Sequence, residues 1–161
     1  MYITLEEYSQ LYDTMDEKVF KRLCFDACRV MDIHTTGADN VKKLRDFFPT
    51  DEYDAAAVKN CAAKIINILK QIQSAEESSA ASYEESEMGI RGKYITSISA
   101  GNESITYSAA SGGSTAVDKA VMDRSQRDKL LADMVREGLS GVSDANGVSL
   151  LYMGRYPGGT V

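Results

Sequence analysis

The chain lacks several residue types that mark particular classes of protein. Its 161 residues include no tryptophan, two prolines, three cysteines and one histidine. So few prolines favour long helices, because proline interrupts a helix interior. The N-terminal segment lacks the basic region and apolar stretch of a signal peptide. Together with the odd number of cysteines, this indicates reduced thiols in a cytoplasm. No apolar run approaches the length of a membrane span, so we expect no membrane partner.

Basic side chains are also in deficit, and the formal net charge is −6. Residues 1–88 carry 17 acidic and 10 basic side chains, and residues 89–161 carry 7 and 8. This balance argues against the basic surface with which proteins grip nucleic acid. The length and the 43% of hydrophobic residues predict one domain with its own core.

Apolar residues recur at three- and four-residue steps, which predicts a mainly α fold, a helical bundle of about four to five helices. The segments Thr4–Glu7 and Thr14–Glu17 both fit a capping box at a helix start. The longest predicted helix starts at Thr50 or Asp51, runs to about residue 72, and frays into a polar linker over 74–89. One further helix runs from Thr115 to Gly141. The expected core consists of Phe20, Leu23, Val30, Val58, Ile65, Leu69, Leu131 and Val135.

The single domain, 1–161, divides into four parts: a helical bundle over 1–88, an inserted β-hairpin over 89–110, a C-terminal helix over 111–143 and a docking tail over 144–161. Residues 94–99 and 104–108 are rich in β-branched, aromatic and hydroxyl side chains, and Gly101-Asn102 supplies the turn. A lone hairpin is marginal in water, so it needs a partner. The strip expected to contact another chain is Tyr94, Thr96, Ile98, Ile105 and Tyr107.

The extended C-terminal tail is apolar but short. Its large side chains are Leu150, Leu151, Tyr152, Met153 and Tyr156. A Gly/Ser/Asn-rich break over 140–147 separates them from the last helix, so the tail can dock either on its own chain or on another subunit. We predict that all five are interface residues.

Candidate chemistry is sparse. Cys24, Cys28, Cys61 and His34 could suggest a zinc site, but His34 lies about 240° round the helix from Cys28, and no Cys-x-x-Cys spacing occurs. We therefore expect no metal, no cofactor and no catalytic residue. The solitary His34 lies near a helix C-terminus, where a cation is favoured. The carboxylate clusters fit solvated helix starts and a polar linker better than a calcium loop.

Five segments bear on the family of the chain. They are the opening Tyr2, Leu5, Glu6, Glu7 and Tyr8, the helix 20–32 ending at Thr35-Thr36-Gly37, the Ala-rich helix 55–72 ending in Gln71-Ile72-Gln73, residues 95–107, and residues 151–155. In combination they resemble the head–tail connector, or head-completion adaptor, proteins of tailed bacteriophages and prophages. The resemblance covers most of the chain and defines no active site.

The resemblance implies a structural, non-enzymatic neck protein of the virion, made in the cytoplasm of a host bacterium. Such proteins form a ring, typically of twelve copies, between portal and tail, which extends the DNA channel and completes the head. The implied partners are the portal protein, the next neck or tail-completion protein and further copies of the chain, while genomic DNA passes without specific binding. On this view the C-terminal tail orders fully only on the ring.

A small helical regulatory or nucleic-acid-binding module is the alternative function. It requires a basic face, and the sequence offers only two short basic groups, Lys42-Lys43-Arg45 and Arg124-Arg127-Lys129. An enzyme is a third class, for which no motif is present.

Overall fold

The computed structural model describes residues 1–84, 97–100, 103–106 and 116–157. Within these ranges the chain is mainly helical, as predicted. The helices are α1 (Leu5–Leu11), α2 (Glu17–Thr35), α3 (Lys43–Asp46), α4 (Glu52–Glu84), α5 (Ala116–Met122) and α6 (Arg124–Gly138), and the strands are β1 (Ser97–Ala100) and β2 (Glu103–Thr106). Among the described residues, no helix has both the length and the apolar character needed to cross a membrane.

The first two helices begin at side-chain caps. At α1 the predicted capping box is present: the Glu7 amide donates to Thr4 Oγ1 at 3.2 Å, and the Thr4 amide donates to Glu7 Oε2 at 2.9 Å. At α2 the cap is Asp16, whose carboxylate accepts from the Lys18 amide at 2.9 Å. The predicted box beginning at Thr14 was therefore wrong, because the aspartate two residues later satisfies the free amides of the first turn.

The core lies between α2, α4 and α6. Helix α4 packs against α2, α5 and α6, while α2 also packs against α6 and α3. Of the predicted core set, Phe20, Leu23, Val58, Ile65, Leu131 and Val135 are buried, and Val30 and Leu69 are partly buried against them. The predicted three-helix core is confirmed, because the apolar stripes follow the helical period closely enough to fix each buried face.

Helix α4 is longer than predicted. It continues through the expected linker to Glu84, so its 33 residues extend over about 50 Å. Alanine and glutamate, both strong helix formers, alternate with the serines in this segment and outweigh the weaker propensity of serine.

The single helix predicted from Thr115 to Gly141 is instead two helices. Between them Asp123 has an extended backbone, with φ −135° and ψ 117°, and caps α6 by accepting from the Ser125 amide at 2.8 Å. An aspartate in this position favours a new helix start over continuation. Arg127 fastens the junction, since its Nε donates to the carbonyl of Ala120 at 3.1 Å and its guanidinium pairs with Glu76 of α4.

Strands β1 and β2 pair antiparallel, with Ile98 opposite Ile105. The predicted hairpin spans residues 89–110, and its turn at Gly101-Asn102 and the side chains of Tyr94, Thr96 and Tyr107 lie outside the described residues. The inserted hairpin and its contact strip therefore stay predictions.

Candidate functional site

Helix α2 carries large apolar side chains on its outer face as well as on its buried one. Phe25 is 65% exposed and Ile33 is 59% exposed. Ile33 is eight positions after Phe25, so the two side chains lie about 80° apart round the helix and about 12 Å apart along its axis, with Arg29 midway between them. An outer helix face ordinarily carries polar side chains. We call Phe25, Arg29 and Ile33 the α2 face.

A groove with a volume of about 1200 Å³ runs beside the α2 face. Its walls are residues 1–5 at the N-terminal end, α2, and the segment from Thr36 to Phe48. Its basic side chains are Lys21, Arg29, Lys42, Arg45 and Lys59, and its acidic ones are Glu7, Glu17 and Asp32. The groove is therefore locally basic on a chain whose net charge is negative.

The charges in the groove are unevenly neutralised. Lys59 Nζ lies 2.6 Å from Glu7 Oε1, and Lys21 Nζ lies 2.7 Å from Glu17 Oε1. Within the described residues, the three remaining cations, at positions 29, 42 and 45, form no ion pair. Because no carboxylate of the described residues pairs with them, these cations give the groove a positive potential.

Tyr2 fixes one wall of the groove. Its hydroxyl donates a hydrogen bond to Asp32, and its ring stacks on Phe48 with centroids 6.0 Å apart. Burial, together with the hydrogen bond to the carboxylate, raises the pKa of the Tyr2 hydroxyl, which therefore stays protonated and acts as a donor. The N-terminal segment is thus fastened to α2 along the groove.

Two cysteines of α2 contact each other at the same wall. Cys28 lines the groove and is half-buried, whereas Cys24 is buried one turn earlier, and their Sγ atoms are 4.0 Å apart. Within the described residues, no group of three or more His, Cys, Asp or Glu side chains is arranged to share a metal ion.

His34 lies in the last turn of α2 and lines a second cleft, between α2 and helices α5 and α6. Burial lowers its pKa, and the nearby charge of Arg136 lowers it further. The imidazole is therefore mostly neutral at pH 7. The predicted position of His34 near a helix C-terminus is confirmed, whereas burial and Arg136 disfavour the charged ring that a cap requires, and Asp128 favours it.

The C-terminal tail folds back onto its own chain. A β-bridge joins Ser143 to Ser149, and the turn between them is closed by Asp144, whose carboxylate accepts from the amides of Asn146 and Val148, each at 2.9 Å. The side chain of Leu150 is completely buried. The tail therefore packs as part of the protomer core.

Tyr156 anchors the end of the tail. Its ring stacks on Phe47 with centroids 5.0 Å apart, and its hydroxyl donates to Asp144 Oδ2 at 2.7 Å. Its amide donates to Asp39 Oδ2 at 2.7 Å. Together with the buried Lys43, whose ammonium donates to the carbonyls of Ser149 and Tyr152, these contacts fix the tail against residues 37–48.

The residues of the predicted tail interface fall into a buried group and an exposed group. Leu150 and Tyr156 are buried inside the protomer, and Leu151 is partly buried. The prediction that the tail orders fully only on a ring was wrong for residues 148–156, because a single chain already supplies the groove and the hydrogen-bond partners they need. Tyr152 and Met153 remain 46% and 56% exposed, and their role as interface residues stays a prediction.

Reasoning from the sequence did not single out Phe25 and Ile33. The available signal was their position out of phase with the buried stripe: Phe25 follows Leu23 by two residues, which is about 200° round the helix. A search for known relatives adds nothing to this geometry: no family model, no curated protein and no solved structure matches the chain.

Proposed function

We propose that the chain is a structural, non-enzymatic subunit of the neck of a tailed bacteriophage, a head–tail connector. In this role several copies form a ring between the portal and the next neck or tail-completion protein, extend the DNA channel and complete the head. The observation that carries the proposal is the exposed α2 face beside a groove, which no other part of the described chain covers. Such a surface fits a subunit that is completed by neighbours.

The exposed part of the tail extends this surface. The Ala38 amide donates to the carbonyl of Met153 at 3.1 Å, which holds the exposed tail turn against the loop that follows α2. The two ends of that loop, Thr36 and Lys42, line the groove. The loop thus links the groove to the exposed turn at Tyr152 and Met153, and we propose that both contact a neighbouring subunit or the portal.

The proposed hairpin adds a second mode of contact. We propose that residues 89–110 form a hairpin inserted between α4 and α5, and that its free edges accept strands from neighbouring or stacked subunits. The strip formed by Tyr94, Thr96, Ile98, Ile105 and Tyr107 would lie at that contact. The net charge of −6 supports passage of DNA through the ring without binding, since an acidic wall repels phosphate.

Deleting the gene from the phage or prophage that encodes it tests the function. We expect electron microscopy to show filled or partly filled heads separated from tails, and complementation with the wild-type gene to restore joined particles. Normal yields of infectious, tailed particles from the deletion strain would overturn the proposed function.

Complementation with variants tests the surface separately. We expect Phe25→Glu and Ile33→Glu to leave heads and tails unjoined, because a buried carboxylate opposes the contact. Tyr53→Glu is the matched control, since Tyr53 is 81% exposed and lies outside the α2 face and its groove. All three variants should keep the wild-type melting temperature to within a few degrees, because the altered side chains are exposed. If the two α2 variants restore joined particles as well as the control does, the α2 face is not the assembly surface, whatever the deletion shows.

A further inference from the structure

We propose that Cys28 is a thiol-modification site that exchanges with small anionic disulfides, and that the group it acquires as a mixed disulfide lies in the basic groove. This inference does not depend on the proposed function. It rests on the Cys24–Cys28 pair, on the opening of Cys28 into the groove and on the unpaired cations there.

The two cysteines of the pair differ in burial, and we infer that they have different roles. Cys24 is fully buried, and the contact with Cys28, together with burial, raises its pKa, so it keeps its proton. Its S–H group lies 4.0 Å from Cys28 Sγ and 3.8 Å from the carbonyl oxygen of Ile3. Either sulfur can donate in the neutral pair, but an ionised Cys28 can only accept, so the S–H group of Cys24 is then its donor. Cys28 is the sulfur that reaches the groove.

Two donors stabilise the thiolate of Cys28. The hydrogen bond from Cys24 lowers the pKa of Cys28 to about 7, and the backbone amide of Tyr2 contributes in the same direction. Burial and the charge of Asp32 oppose this shift. Asp32 is itself engaged by the Tyr2 hydroxyl, and Arg45 and Arg29 are the cations of the same groove. A substantial thiolate fraction at neutral pH is the condition for nucleophilic exchange.

The groove selects the partner by charge. Arg29, Lys42 and Arg45 line it without an ion pair in the described part of the chain. A volume of about 1200 Å³ is ample for a tripeptide-sized group, since pockets for small molecules span roughly 300–1,000 Å³. A disulfide bearing carboxylates therefore fits better than one bearing ammonium groups.

The exchange needs no further reagent. The Cys28 thiolate attacks one sulfur of the disulfide, the original S–S bond breaks as the new one forms, and the released thiolate takes a proton from water. The protein ends as a mixed disulfide at Cys28, and a free thiol leaves.

Cys61 is an internal control. It is buried, and burial raises its pKa to about 11, so it should not react in the folded protein. Cys24 should not react either, since its sulfur is enclosed. The chain thus offers three cysteines with one expected site.

The test uses the reduced full-length protein with oxidised glutathione. Cystamine, which carries the same disulfide group but is cationic, is the comparison reagent. Intact mass and peptide mapping at pH 7 should show one glutathione adduct, at Cys28, and none in Cys28→Ser. Cys24→Ala should slow the reaction of Cys28 by roughly three- to tenfold, because its thiolate loses a donor. Cys24→Ser keeps a hydroxyl donor and should recover part of the rate. A merely structural role for Cys24 predicts no such recovery.

The charge requirement is tested separately with Arg29→Gln combined with Arg45→Gln. This variant should react more slowly with oxidised glutathione while its rate with cystamine stays the same or rises. Adduct formation first at Cys24 or Cys61 would overturn the site. A Cys28 rate unaffected by Cys24→Ala would overturn the role of Cys24 as the donor to the Cys28 thiolate. The rates with the two disulfides are corrected for their intrinsic rates with free cysteine. If the wild-type protein then reacts faster with cystamine than with oxidised glutathione, the proposal that the groove favours anionic disulfides is wrong.

Discussion

Replacing Leu150 with alanine asks whether the C-terminal tail belongs to the folded protomer. Leu150 is fully buried, and its amide donates to the carbonyl of Val142 at 3.0 Å, so the backbone has little freedom to close the space left by the side chain. Leu→Ala at such a site costs about 2–5 kcal/mol, as the lost transfer free energy adds to the cost of the cavity. For a chain of this size that corresponds to a fall in melting temperature of roughly 4–20 °C.

Met153→Ala is the matched control for Leu150→Ala. Both changes truncate a large apolar side chain of the same tail, but Met153 is 56% exposed. We expect its effect on the free energy of unfolding to stay within about 0.5 kcal/mol. Thermal unfolding followed by circular dichroism measures both. If Leu150→Ala melts within a degree or two of the wild-type protein, the tail does not contribute to the core and the packing described above is incorrect.

Two further substitutions probe how the elements are joined. Lys43→Met removes the ammonium group that donates to two tail carbonyls, so we expect it to destabilise the fold by about 2–4 kcal/mol. Urea titration measures this loss, and an unchanged midpoint would contradict a structural role for the buried lysine. Gly138→Ala would place a Cβ atom 2.8 Å from Cys61 Sγ, so we expect a loss of about 1–3 kcal/mol. The double variant with Cys61→Ala should recover part of that loss, because it removes the sulfur but keeps the Cys61 Cβ atom at 3.0 Å. No recovery at all would show that the sulfur is not the limiting contact.

The features that could be predicted from the sequence are those set by neighbouring residues. The capping box at Thr4 and Glu7 and the buried stripes of the three core helices depend on contacts within one or two turns, so a pattern suffices to find them. The division at Asp123 is also local, but an aspartate in a helical pattern fits a solvated surface as well as a cap. The extension of α4 depends on the summed helix propensities of many residues, and the frequent serines of this segment led to the prediction of a linker instead.

The position of the tail depended on contacts between distant parts of the chain. Lys43 reaches carbonyls more than a hundred residues away, and Phe47 stacks on Tyr156 across a similar separation. No periodicity in either segment indicates the other. The sequence showed an apolar tail that needed a binding surface, but which chain supplied that surface could be read only from the fold.

Intramolecular docking and contact with another subunit were alternatives for the tail as a whole, and the structure allows both at once. Leu150 and Tyr156 are buried and hold the backbone, whereas Tyr152 and Met153, between them in sequence, stay about half exposed. Because the backbone is fixed on both sides, the exposed pair loses little conformational entropy when a partner covers it. A preordered apolar turn is therefore a better contact than a disordered tail of the same composition. Folding of the tail onto its own chain prepares the surface that we propose for assembly.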